Sequence, residues 1–171
     1  AIHKTGLIKS GNTWFYLDEN GRKVKGLREI NGKIYYFSDG PESRYGHYYD
    51  QVRGLLVNPY NENYYNSTSK AAPTYFFDAE TGAALTNQFF NWEGDWYYFG
   101  PDGKALIFDQ VINGQHLYFR NNGKQVKGQF ISDYKGTRYY DENSGELVTN
   151  QTRTINGVTY LFDENGRPTQ L

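Results

Sequence analysis

The stretch Ile112-Asn113-Gly114-Gln115-His116-Leu117-Tyr118-Phe119-Arg120-Asn121-Asn122-Gly123-Lys124-Gln125-Val126-Lys127-Gly128 decides how this chain folds. It holds an Asn-Gly turn, a short run of aromatic and aliphatic residues, an amide-rich turn that ends in glycine, and a second short apolar run. Aromatic and aliphatic segments of this length, bounded by Gly and Asn, read as strands. The glycines supply the positive φ that tight turns need.

The same unit recurs along the chain. Its first glycine returns as Gly11, Gly32, Gly94, Gly114, Gly136 and Gly157, and its second as Gly21, Gly82, Gly103, Gly123, Gly145 and Gly166. Between them lie the aromatic cores Trp14-Phe15-Tyr16-Leu17, Tyr35-Tyr36-Phe37, Tyr75-Phe76-Phe77, Trp96-Tyr97-Tyr98-Phe99, Leu117-Tyr118-Phe119, Tyr139-Tyr140 and Tyr160-Leu161-Phe162. The period is 20 to 22 residues, which makes about seven units. Each reads as a β-hairpin closed by Asp-Glu-Asn-Gly or a relative, with the Asn-Gly turn joining one hairpin to the next. A lone hairpin is marginal in water, so the units must stack and share an aromatic face. The expected fold is all-β, a β-solenoid of about seven stacked hairpins forming one array over residues 1–171, with loops inserted into hairpins two and three between residues 38 and 73.

Composition narrows the partner. The 18 basic and 19 acidic side chains nearly cancel, so the broad positive field used for nucleic acid or anionic membranes is missing. Cysteine is absent, no apolar run approaches a membrane span, and no charged-then-apolar leader opens the chain. The 17 Tyr, 11 Phe and 19 Gly favour strands and turns over helices. These observations predict a soluble, monomeric chain, a fragment of a larger protein, with a neutral partner and no cofactor.

Strand alternation divides the side chains into two faces. If Arg120 to Gly123 form the loop of hairpin five, Tyr118 opposes Gln125, and His116 opposes Lys127. Leu117, Phe119 and Val126 then point inward, while His116, Tyr118, Gln125 and Lys127 point outward. Hairpin one, in the same register, turns Trp14, Tyr16, Lys23 and Lys25 outward, and hairpin two turns Tyr36, Gln51 and Arg53 outward. Hairpins four and seven carry Ala105 and Ile107, or Leu161 and Pro168, at the polar positions and read as spacers. A tyrosine plate beside an amide and a cation suits the C–H face and hydroxyls of a pyranose. The competing reading makes the tyrosines packing residues and the Gln and Lys side chains the solvated side of a strand. The sugar reading expects Tyr118→Ala with Gln125→Ala to remove one site and leave the β-structure unchanged.

The 112–128 stretch closely resembles the glucan-binding repeats of bacterial glucansucrases, within the wider choline-binding and cell-wall-binding repeat group. Weaker matches at Ile30 to Phe37, Asp50 to Gly54, Trp14 to Gly26 and Ile155 to Gly166 extend the likeness over most of the chain. The resemblance implies a β-solenoid attached to a secreted enzyme or surface protein of a Gram-positive bacterium. It also implies pockets for α-linked glucose in which Tyr118, Gln125 and Lys127 take part. Arg53 stands where lysine is usual, and Lys23 replaces the glutamine in hairpin one. Choline-binding relatives cage a quaternary ammonium in Trp and Tyr, whereas only Trp14, Trp92 and Trp96 occur here. Clostridial toxin repeats look similar too, but the Gln-Val-Lys-Gly and Gln-Val-Arg-Gly segments resemble the glucan type more.

An enzyme would need paired carboxylates in one cleft. Asp18, Asp102, Asp163 and Glu164 sit instead in turns, where such side chains bond the local backbone. His3, His47 and His116 lack metal-ligand spacing, although His116 is expected to line the sugar pocket. The chain is therefore expected to be a non-catalytic α-glucan-binding module, with choline or teichoic-acid binding and a structural spacer as the alternatives.

Overall fold

The computed structural model describes residues 4–39, 47–58 and 74–171. The strands are β1 (Gly6–Ser10), β2 (Thr13–Leu17), β3 (Gly26–Ile30), β4 (Lys33–Phe37), β5 (Leu55–Val57), β6 (Tyr75–Phe77), β7 (Gln88–Trp92), β8 (Asp95–Phe99), β9 (Phe108–Ile112), β10 (Gln115–Phe119), β11 (Gln129–Asp133), β12 (Gly136–Tyr140), β13 (Gln151–Ile155), β14 (Val158–Phe162) and β15 (Pro168–Gln170). They pair in sequence order into six two-stranded sheets and one three-stranded sheet, β13-β14-β15. Among the described residues there is no helix. The all-β hairpin repeat expected from the sequence is what forms, and in the undisturbed part its first strands begin at residues 88, 108, 129 and 151.

The two turns of each unit exchange the roles expected of them. The Asn-Gly turn closes the hairpin: Asn113 and Gly114 both have positive φ, at 53° and 79°, and lead from Ile112 to Gln115 in a ladder of five residue pairs. Positive φ at both central residues gives the two-residue turn whose twist matches that of its strands. The second turn closes only one bridge in most units, such as Leu17↔Lys23, Phe37↔Gln51 and Phe119↔Gln125. Within this loop an aspartate, or Asn122 in the 120–124 loop, accepts backbone N–H groups. Asp18 accepts from Asn20 and Arg22 at 2.9 Å, and Asp163 from Asn165 at 2.9 Å and Arg167 at 2.8 Å. Asp102 accepts from Lys104.

This longer loop shifts the register by one residue. Phe119 faces Gln125, not Lys124, and Val126 N–H donates to the Tyr118 carbonyl at 2.8 Å. Hairpins one and two show the same shift, with Val24 donating to Tyr16 and Val52 to Tyr36. A one-residue slip exchanges the faces of every side chain in the short segment that follows the loop.

Two compact units share the chain, Ala1–Trp92 with Tyr98–Ala105, and Glu93–Tyr97 with Leu106–Leu171. Inside each, one stacking rule operates. The next-to-last residue of a second strand meets the last of the next: Tyr16 with Phe37 at 6.3 Å and Tyr36 with Phe77 at 6.0 Å in the first unit. In the second unit Tyr118 meets Tyr140 at 5.7 Å, and Tyr139 meets Phe162 at 6.3 Å. Such ring separations are those of favourable aromatic pairs. The strand-ending rings Phe37, Phe77, Phe119, Tyr140 and Phe162 are all buried.

Backbone bonds join consecutive repeats in the same pattern. Gln51 N–H donates to the Trp14 carbonyl at 2.7 Å and Ala84 to Ile34 at 2.8 Å in the first unit. Gln125 donates to Trp96 at 2.8 Å and Leu147 to His116 at 2.9 Å in the second. Each bonds the residue just after the second turn to the second residue of a second strand one repeat earlier. The expected insertions fall largely on residues 40–46 and 59–73, outside the described residues; at their edges Ser38 N–H donates to Asp50 O, and Val57 pairs with Tyr75.

Candidate functional site

The three tyrosines expected to be exposed plates are packing residues. Tyr36 and Tyr118 are buried, at 1% and 8% exposure, and Tyr16 is half-buried. Tyr118 belongs to a cluster with Val126, Ile131 and Tyr140, and burial pushes its phenol above the ordinary value. With Val126 on the side of Tyr118, alternation sends the Gln125 side chain the other way. The proposed Tyr118–Gln125 pairing is thereby corrected, and the register shift is the reason. The second strands β4, β10 and β12 carry buried side chains on both faces, so alternation alone does not identify a solvent side.

The structure instead brings Gln125 and Lys127 to Trp96. Trp96 is the second residue of β8, is 40% exposed, and accepts the Gln125 N–H through its carbonyl. Lys127 Nζ lies 5.5 Å from the indole centroid and donates to the Asn143 carbonyl at 3.1 Å. The turn glycine of the next repeat covers Gln125, because a Cβ on Gly145 would collide with its Nε2.

The first unit repeats this arrangement with Trp14, Gln51 and Arg53. Trp14 is the second residue of β2, and its carbonyl accepts the Gln51 N–H. The Arg53 guanidinium stacks 4.4 Å from the Trp14 centroid, donates through Nε to Gln51 Oε1 at 2.5 Å, and reaches the Glu80 carbonyl. Gly82 lies over the Gln51 amide, 2.7 Å from Nε2 to a Cβ built on the glycine. A cleft of about 390 Å³ opens here, lined by Lys9, Asn12, Trp14, Gln51 and Arg53 among others. The Gln51 Nε2 beneath Gly82 is buried without a hydrogen-bond partner among the described residues.

Neither tryptophan had been singled out as a site residue. The signal was present: Trp14-Phe15-Tyr16-Leu17 and Trp96-Tyr97-Tyr98-Phe99 both open with tryptophan. Reading each unit alone hid its meaning, because the indole belongs to the repeat before the glutamine. The remaining candidates sit elsewhere. Lys23 Nζ lies 4.5 Å from the Phe15 ring and 5.9 Å from that of Tyr49; Lys25 lies 5.2 Å from Tyr48 and pairs with Asp39 at 3.4 Å. His116 is exposed at the position equivalent to Trp14 and Trp96, but it faces Leu147 in place of a glutamine.

Electrostatics concentrate in the second unit. Arg138, 4% exposed, donates to both oxygens of Asp133 at 2.8 and 3.1 Å. Those bonds hold the Asp133 carboxyl at about 2, below the ordinary 3.8. A depressed carboxylate stabilises the fold above its unfolded value and loses that contribution as pH falls through the folded one. Near-UV circular dichroism should therefore show the wild-type chain losing tertiary signal between about pH 4 and pH 2, with a shallower slope for Asp133→Asn, which starts less stable at neutral pH. Equal slopes would mean that this pair does not control acid unfolding. Among the described residues no group of three or more His, Cys, Asp and Glu side chains is arranged to hold a metal ion.

Comparisons with known proteins agree with this architecture. A family model described as "Choline-binding repeat" matches residues 4–41 and 110–151, and one described as "Putative cell wall binding repeat" matches residues 87–105. Glucosyltransferase-I of Streptococcus downei is 35% identical over 168 residues, covering 97% of this chain and 9% of that protein. Glucosyltransferase-S of Streptococcus mutans serotype c (strain ATCC 700610 / UA159) is 34% identical over 168 residues, covering 97% and 10%. The chain thus spans about a tenth of the length of the curated relatives it matches. The solved structure of CbpJ from Streptococcus pneumoniae TIGR4 superimposes with a TM-score of 0.67 at 23% identity, covering 97% of this chain and 48% of that one, a likeness of fold. What the chain matches is a binding-repeat domain, not a catalytic one. Its repeats place the chain in the choline-binding and cell-wall-binding repeat group, as a relative of a stretch of the streptococcal glucosyltransferases.

Proposed function

We propose that this chain binds α-glucan through its two Trp–Gln–cation sites, Trp14 with Gln51 and Arg53, and Trp96 with Gln125 and Lys127. The observation that carries this reading is the duplication: each unit bonds the backbone N–H of a glutamine in one repeat to the tryptophan carbonyl of another, and sets the cation two residues on beside that indole. An indole face takes the C–H side of a pyranose, and the amide can both donate to and accept from its hydroxyls. A sugar settling on the ring takes over the surface that Arg53 or Lys127 covers, and the displaced side chain, long and flexible, donates to the sugar in turn.

A quaternary ammonium suits these sites less well, since each indole already has a cation of the protein beside it. On the same reading the parent is a secreted Gram-positive glucosyltransferase, and the chain holds it to its glucan at the cell surface. Two weak sites on one chain raise retention on a polymer through effective concentration, so long dextran should outcompete short isomalto-oligosaccharides.

Dextran-affinity electrophoresis tests this directly. Trp14→Ala or Trp96→Ala alone should lower retention about 10²-fold by removing the second attachment, and the double variant should migrate as in a gel without dextran. The far-UV spectrum should stay that of a β protein. Full retention of the double variant, or release of the wild-type chain by choline, would overturn the reading.

A further inference from the structure

A second cleft, of about 570 Å³, lies within the second unit and uses neither tryptophan nor glutamine of the motif. Asp109 on β9, His116 on β10, Tyr134 and Lys135 in the β11–β12 turn, Arg138 on β12 and Arg167 before β15 all line it. The floor is fixed by hydrogen bonds. Arg138 donates to Asp109 Oδ1 at 3.3 Å and to the Gly136 carbonyl at 2.9 Å, besides its two bonds to Asp133. The Tyr140 hydroxyl also reaches Asp109 Oδ1, at 3.4 Å, and Lys135 Nζ reaches Oδ2 at 3.3 Å.

Asp109 is thus held from beneath while its side chain remains 36% exposed toward the cleft. In the same lining, Tyr134 is 92% exposed, its ring contacted by Lys135 Nζ at 5.8 Å from the centroid. Arg167 hydrogen-bonds the Lys135 carbonyl at 3.3 and 3.4 Å through Nη2 and Nε, and forms no ion pair among the described residues. Lys135, Arg138 and Arg167 against Asp109 and Asp133 leave one positive charge in excess. That excess disfavours a cationic ligand, and the oriented carboxylate disfavours an anionic one.

We infer that this cleft is a further carbohydrate site of different chemistry, taking a neutral pyranose whose adjacent hydroxyls donate to Asp109, with Tyr134 as its plate and Arg167 as a donor. Ordering the carboxylate before the ligand arrives removes part of the cost of binding. The site stands apart from the Trp–Gln–cation pair and would exist even if those sites bound nothing.

The test is a titration of the full chain with isomaltotriose, followed by amide chemical shifts in the wild type and in the Trp14→Ala/Trp96→Ala background. Saturable shifts at Asp109, Tyr134 and Arg167 are expected in both. Adding Tyr134→Ala should weaken those shifts about tenfold or more, and Asp109→Asn should do the same. Tyr134 is exposed, so its variant keeps the fold even if Asp109→Asn loosens the Arg138 cluster. Absent shifts, or shifts untouched by Tyr134→Ala, would overturn the inference. So would tighter, salt-sensitive binding of glucose 1-phosphate at these residues, or tighter binding of choline. Dextran retention of the double Trp variant reports on the other two sites separately, so either reading can fail alone.

Discussion

Replacing Tyr118 with alanine is expected to destabilise the second unit by about 3–5 kcal/mol, the range for removing a buried aromatic ring. The ring is 8% exposed, lies 6.2 Å from Phe108 and 5.7 Å from Tyr140, and shares its cluster with Val126 and Ile131. Domains of ordinary stability have about 5–15 kcal/mol to lose, so this one change takes a large part of it. Tyr118→Phe keeps the ring and should cost no more than about 1 kcal/mol. Urea unfolding followed by tyrosine and tryptophan fluorescence separates the two. This reverses the expectation drawn from strand alternation, under which Tyr118→Ala with Gln125→Ala would spare the fold. A Tyr118→Ala chain that unfolds at the wild-type urea concentration would restore the tyrosine plate.

The second large effect is expected at Gly145. Its φ of +74° disfavours any side chain, and a Cβ there would run into the Gln125 amide and come within 3.3 Å of Lys127 Cγ. Gly145→Ala should therefore cost about 2–4 kcal/mol, combining backbone strain with overpacking. Gly157 supplies the control, with a similar φ of +81° and nothing within 4 Å of its hypothetical Cβ. Gly157→Ala should cost about 1–2 kcal/mol, the backbone part alone. If the clash is what matters, Gln125→Ala combined with Gly145→Ala should recover stability relative to Gly145→Ala, a coupling that a double-mutant cycle reads. The Gly145→Ala chain should also bind dextran more weakly, because it pushes Gln125 away from Trp96. Equal costs at Gly145 and Gly157 would show that Gln125 is not clamped by the next turn.

Much of the fold was legible because the features that build it are local. Asn113-Gly114 and Asn156-Gly157 adopt the paired positive φ that their composition predicts, and Asp18 and Asp163 bond their own loops. The exchange of roles between the two turns was less legible. Both end in glycine, and only the greater length of the second loop reduces its pairing to one bridge in most units. From that came the slip that put Gln125 opposite Phe119.

At the candidate site, residue identity was legible and company was not. Gln51, Arg53, Gln125 and Lys127 do gather in pairs, as their two-residue spacing implied. Their aromatic neighbour was assigned to Tyr36 and Tyr118, two positions before the turn in the same hairpin, when it lies one repeat back at Trp14 and Trp96.

By itself, the order of residues determined the repeat, its period, its turns and the absence of a helix from the described residues, since each of these is set within a few residues by backbone conformation and side-chain alternation. Only the tertiary structure decided which rings are buried and which indole stands beside which amide. Stacking buries side chains on both faces of β4, β10 and β12 and sets turn glycines such as Gly82 and Gly145 upon a neighbouring repeat, and the relative position of two such repeats is a property of their packed surfaces, written in neither repeat alone.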